Sequence, residues 1–127
     1  MLAVIVILAS MALPNMMSSR KSANEASAIA SLRQISSAQE TYRGRHGGVG
    51  YAPLSDLGGS DLLDTLLTGG HKSGYAFSEP VEPTAQGFTI LATPDPHAGD
   101  RHFRLDESGV IRAAYGEPAT AASPPIQ

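Results

Sequence analysis

At 127 residues and a formal net charge of -3, the chain has room for one small domain and lacks the basic excess that a nucleic-acid partner would require. Aromatics make up only 6% of it and charged residues 17%, so whatever core it builds is small. It has no cysteine, which excludes a disulfide framework, thiolate zinc sites, thiol catalysis and a lipoprotein anchor together.

The charge is divided along the chain. Residues 15–46 carry five basic side chains (Arg20, Lys21, Arg33, Arg43, Arg45) against Glu25 and Glu40, whereas residues 47–127 carry four basic and ten acidic groups. A basic stem and an acidic head can attract each other between neighbouring copies. Solvated faces with no partner produce the same pattern.

Met1 to Leu13 reads MLAVIVILASMAL, uncharged and with Ser10 as its one polar side chain. Thirteen residues are too few to cross a hydrocarbon layer, which takes about 20. A buried core helix is a poor account, because the segment is apolar on every face and the remaining chain is too small to wrap it. A secretory signal has Ser10-Met11-Ala12 as a small-x-small cleavage site but lacks the basic stretch that should precede the apolar run. The downstream part of a longer membrane helix fits best, because a helical pattern follows.

Arg20 to His46 contains no Pro and no Gly before Gly44. Ala28, Leu32, Ile35, Gln39 and Tyr42 recur at spacings of four, three, four and three, an apolar stripe that Ile29 widens and Gln39 alone interrupts. Gly47-Gly48 ends it. Pro14 lies between the apolar and amphipathic runs. It either separates two elements or bends one, and the absence of turn-forming neighbours favours the bend. A helix over 1–46 is about 69 Å long, too long for a head of about 80 residues to cover, so its apolar half is expected to be shielded by lipid or by other copies.

The apolar run ending in Ala12-Leu13-Pro14-Asn15, the basic pair Arg20-Lys21, the run Ala23-Asn24-Glu25-Ala26-Ser27-Ala28-Ile29-Ala30-Ser31-Leu32-Arg33 and the closing Tyr42 together resemble type IV pilins and type II secretion pseudopilins. The similarity extends from Met1 to about Tyr51. Later stretches fit the same class: Lys72-Ser73-Gly74-Tyr75-x-Phe77, Arg101-x-Phe103 and Asp106-x-Ser108-Gly109-x-Ile111-Arg112. The resemblance implies a pilin-like α+β fold, a long bent N-terminal helix packed on a small antiparallel sheet. It also implies a basic leader, a processing glycine and about eight mature residues ahead of Met1, so no residue here is assigned to processing or N-methylation.

On that resemblance four stretches are expected: an apolar membrane or filament-core segment (1–14), its amphipathic continuation (15–46), a loop and β head (47–115) and a flexible tail (116–127). Leu2, Ala3, Val4, Ile5, Val6, Ile7, Leu8, Ala9, Ala12 and Leu13 are the filament-core packing residues, Pro14 the bend, and Leu32, Ile35 and Tyr42 the head-packing residues. Small side chains such as Ala3, Ala9, Ser10 and Ala12 allow close helix approach in an apolar medium.

In the head, Ser60 is placed to cap a short helix through Leu67. Strand patterns follow over 74–78, 87–93, 101–105 and 110–115, with a turn at Asp106-Glu107-Ser108-Gly109 and a fraying tail from Gly116. Leu54, Leu57, Tyr75, Phe77, Phe88, Ile90, Phe103 and Ile111 join Ile29, Leu32, Ile35 and Tyr42 as core candidates.

No catalytic constellation emerges. His46, His71, His97 and His102 lack metal-ligand spacing, and Asp95, Asp100 and Asp106 do not match a 12-residue calcium loop. No serine sits in a nucleophile elbow and no glycine pair leads into a phosphate loop. The expectation is a non-enzymatic structural subunit of a pilus-like filament, with no cofactor or metal. Its expected partners are copies of itself in a helical homopolymer, the bacterial inner membrane before assembly, and the pilus or secretion assembly machinery, with no nucleic acid; it ends in a cell-surface filament. Two other classes stay open: a pseudopilin of a type II secretion system, and a monomeric exported binding module released by signal cleavage.

Overall fold

The computed structural model describes residues 2–45, 47, 50–59, 70–80 and 82–126, and the side chains of 2–17, 55, 58 and 59 lie outside that description. The expected short helix over 60–67, the side chains of the filament-core set Leu2 to Leu13, and His46 therefore lie outside the described residues.

Helix α1 runs over Leu2–Arg45 and helix α2 over Leu54–Gly59. Strands follow as β1 His71–Lys72, β2 Tyr75–Ser78, β3 Thr89–Pro94, β4 Arg101–Asp106 and β5 Ile111–Tyr115. Each strand pairs antiparallel with the one before it, in the order β1-β2-β3-β4-β5. The arrangement is α+β, one helical layer on a five-stranded meander.

At 1.5 Å per residue α1 is about 66 Å long. It continues through Pro14 as one element, so the two expected stretches 1–14 and 15–46 are parts of a single helix. Arg43 and Arg45 sit in its last turn, where cations oppose the negative end of the helix dipole.

The core forms where the α1 stripe meets the inner face of the sheet. Ala28, Leu32 and Ile35 are fully buried, as are Tyr75, Ile90, Ala92, Phe103 and Leu105 opposite them. The period-2 burial of β2, β3 and β4 follows from alternation of side chains across a strand. Leu105 completes the β4 inner face beyond Phe103. Leu54 and Leu57 bring α2 onto the same core.

Two features differ from the sequence expectations. First, a fifth strand, β1, pairs His71 with Ala76 and Lys72 with Tyr75. Two residues are too short to show periodicity, but Ser73 and Gly74 both have positive φ (53° and 80°), the requirement of a tight hairpin turn. A Cβ on Gly74 would lie 2.8 Å from the Ala98 Cβ, so the position needs glycine for space as well as for φ.

Second, the tail expected to fray is docked along β5. The Ala113 N–H donates to Pro124 O (3.0 Å), and the Ile126 N–H donates to Ile111 O (2.9 Å). The Arg112 Nη1 donates to Ser123 O (2.8 Å), and Ala119 is buried. Proline cannot donate, but here Pro124 supplies a carbonyl to an edge strand that needs acceptors.

Candidate functional site: the stem and its seam with the head

Ser18, Ser19 and Arg20 are exposed, and the head takes hold of α1 at Lys21. From there the seam has polar ends and an apolar middle.

At the lower end, the loop 95–100 and the β1–β2 turn close on the helix. Lys21 Nζ lies 3.1 Å from Asp100 Oδ1. Arg101 Nε donates to Glu25 Oε1 at 2.6 Å, and the Asp100 N–H donates to Glu25 Oε2 at 3.3 Å. Arg101 and Glu25 side chains are 28% and 12% exposed, so this pair is shielded far better than Lys21–Asp100. Asn24 Nδ2 donates to Ala98 O (2.9 Å) and Ser27 Oγ to Ser73 Oγ (3.0 Å). The Tyr75 hydroxyl, buried beneath the loop, donates to Arg101 O at 2.7 Å. Burial pushes its phenol far above the ordinary value, the Glu25 carboxylate adding to the effect, so it stays a donor.

At the upper end Gln39 resolves the interruption in the stripe. It is fully buried, its Nε2 donates to Ala52 O (2.6 Å), and its Oε1 accepts from the Ala52 N–H (2.9 Å). The chain leaving α1 is thus clamped back onto it through both polar groups of one residue. Arg43 Nη1 donates to the Tyr51 hydroxyl (3.1 Å) and its guanidinium lies 5.2 Å from that ring's centre. Tyr51 in turn packs on Phe88, with centroids 4.9 Å apart.

Of the head-packing residues read from sequence, Leu32 and Ile35 are fully buried and Tyr42 is half-buried against the core. The filament-core set and Pro14 have only their helical backbone described. Gln39 and Glu25 are the seam positions missed; a lone amide in an apolar stripe was the available signal for the first.

The charge split is partly satisfied within one copy, through Lys21–Asp100 and Glu25–Arg101. The acids considered for calcium are dispersed. Asp95 takes His71 Nε2 at 2.6 Å, Asp100 takes Lys21, and Asp106 takes Arg104 Nη1 at 2.5 Å together with Ser108. Burial alone would raise the Asp106 carboxyl, but hydrogen bonds from Ser108 and Arg104 outweigh it and hold it low. Among the described residues no group of three or more His, Asp or Glu is disposed to hold a metal. Among them, too, no helix is long and apolar enough to cross a membrane.

What the fold and seam define is an α+β protein whose small head, among the described residues, holds a long helix from Lys21 onward. The chain matches no known family model and no curated protein.

Proposed function

We propose that this chain is a structural, non-catalytic subunit of a type IV pilus-like filament, held in the bacterial inner membrane and then assembled through its apolar N-terminal helical segment. The carrying observation is the mismatch between helix and head: α1 is about 66 Å long, yet the head's described grip begins only at Lys21. Below that point lies MLAVIVILASMAL, thirteen residues with no charge. Lipid before assembly and sister helices afterwards are the media that suit such a surface.

The head has the properties of an outer shell. It is a meander packed on its stem, fixed by a shielded ion pair at one end and a buried amide clamp at the other. In the filament the heads face outward and the stems bundle.

The test replaces Ala9 or Ala12 by lysine. Filament yield, counted by electron microscopy, should collapse while the head keeps its fold by circular dichroism, because a charge in an apolar bundle costs several kcal/mol. Normal yield from either variant counts against the proposal. Surface filaments lost from a deletion strain identify a pilus, whereas a secretion defect without filaments identifies a pseudopilin.

A further inference from the structure

We propose that the groove beside β5 receives the stem of a second copy, with Tyr115 set against the outward stripe of that stem and Glu117 paired with its Arg33. The proposal rests on the filament reading and adds the lateral contact between subunits.

Tyr115 is 74% exposed, the only large hydrophobic side chain so placed among the described residues. It ends β5 on the side shared by Ile111 and Ala113, which pack on the core, so it extends the apolar inner face past the cover of its own helix. Beside it is a groove of about 430 Å³ walled by Ala113, Tyr115, Pro124, Pro125 and Ile126, with Arg101 and Glu117 among its walls. Arg101 is committed to Glu25. Glu117 has no hydrogen bond or ion pair among the described residues, so the groove keeps one free negative charge.

The occupant follows from the stem. Ser19, Ala23, Ala26, Ala30, Arg33 and Ser37 are all exposed, and their spacing of four, three, four, three and four puts them on one line. That line lies opposite the buried stripe of Ala28, Leu32 and Ile35, so its alanines face away from their own head, while Arg33 at its upper end lines a neighbouring groove of its own copy with Pro125 and Ile126 and makes no ion pair there. The alanine surface is thus open to another molecule. The small side chains leave room for an aromatic ring, and the stripe carries one cation, Arg33.

The remaining charges agree. Once intrachain pairs are set aside, the free cations among the described residues are Arg20, Arg33 and Arg45, all on the stem. The free acids are Asp56, Glu82, Glu107 and Glu117 on the head, with Glu40 the one on the stem. The unpaired charges thus lie mostly with cations on the stem and acids on the head, a complementarity that favours contact between copies.

Because the chain contains no cysteine, the contact is open to site-specific cross-linking. Full-length Tyr115→Cys and Ala26→Cys chains are co-produced and their filaments oxidised; a disulfide needs Cα atoms within about 7 Å. A heterodimer band at least tenfold stronger than that from Gln86→Cys with Ala26→Cys is expected. In parallel, Glu117→Arg should lower filament yield at least threefold and Glu117→Arg with Arg33→Glu should restore it. Filaments of normal yield with no Tyr115→Cys cross-link, or no rescue by the double variant, overturn the groove contact alone. Failure of the unsubstituted chain to form filaments overturns the filament reading and the contact with it.

Discussion

Gln39→Ala takes both hydrogen-bonding partners from Ala52 at once. Ala52 is 1% exposed, so its N–H and C=O depend on that amide for their hydrogen bonds. Each orphaned buried group costs about 1–3 kcal/mol, which gives about 2–6 kcal/mol for the pair. Some water enters the space vacated by the side chain, so a loss of about 3 kcal/mol is expected, a large share of the ~5–15 kcal/mol typical of a folded domain. Gln39→Glu separates hydrogen bonding from packing. Its carboxylate still accepts from the Ala52 N–H but opposes the Ala52 carbonyl, which the Gln39 Nε2 approaches to 2.6 Å. Protonation restores the donor. The introduced carboxyl therefore has a folded pKa above its unfolded value of about 4.3. Its stabilising contribution is complete below that unfolded value and is lost as pH rises through the folded one. Urea unfolding of the full chain in mild detergent, followed by circular dichroism at pH 4 and pH 7, measures both variants. Gln39→Ala within about 0.5 kcal/mol of the parent, or Gln39→Glu equally stable at both pH values, refutes the clamp, since surface changes alone fall in that range.

Further outcomes follow from the seam and the sheet edges. A Cβ on Gly99 would collide with the Tyr75 hydroxyl, so Gly99→Ala should cost about 2 kcal/mol. Combined with Tyr75→Phe the losses should sum to less than their separate values, as a double-mutant cycle by urea titration will report. Burial raises the Glu79 carboxyl, a shift opposed by the Leu54 N–H and reinforced by Glu82 and Asp56. A raised group contributes stability at low pH that is lost as pH rises through its folded pKa. Glu79→Gln, which retains an acceptor for Leu54, should raise the Tm at pH 7 and leave it unchanged near pH 4. Deleting 117–127 removes the Pro124 and Ile126 backbone bonds and the burial of Ala119. It should cost about 2–4 kcal/mol and expose the β5 edge, visible as concentration-dependent association by sedimentation.

Periodicity made the helix and four of the five strands legible before any coordinates. Ala28, Leu32 and Ile35 stand at helical spacing, and Phe88, Ile90 and Ala92 alternate as a half-buried strand does. The missing pieces rest on other physics. Strand β1 is defined by a turn whose signal is backbone φ at Ser73 and Gly74, and two residues carry no pattern. The tail was read from composition, because Pro, Ala and Ser describe a fraying end well. Its docking depends on β5 presenting an unpaired edge, a fact of topology. Glu25 and Arg101 are 76 residues apart, and nothing local announces such a pair. Gln39 was visible as an exception in the stripe, but its partner Ala52 has no distinguishing side chain.

The order of the strands also governs how the molecule is made. Every strand lies beside the one synthesised just before it, so each hairpin closes by a short search as it emerges. The helix comes out first, yet β4, the strand it lies closest to, comes out almost last. Until Phe103 and Leu105 arrive, Leu32 and Ile35 have no lid from that strand. A nascent chain cut short before Arg101 is therefore the adhesive species, and a holdase that recognises bare apolar helices has its moment then.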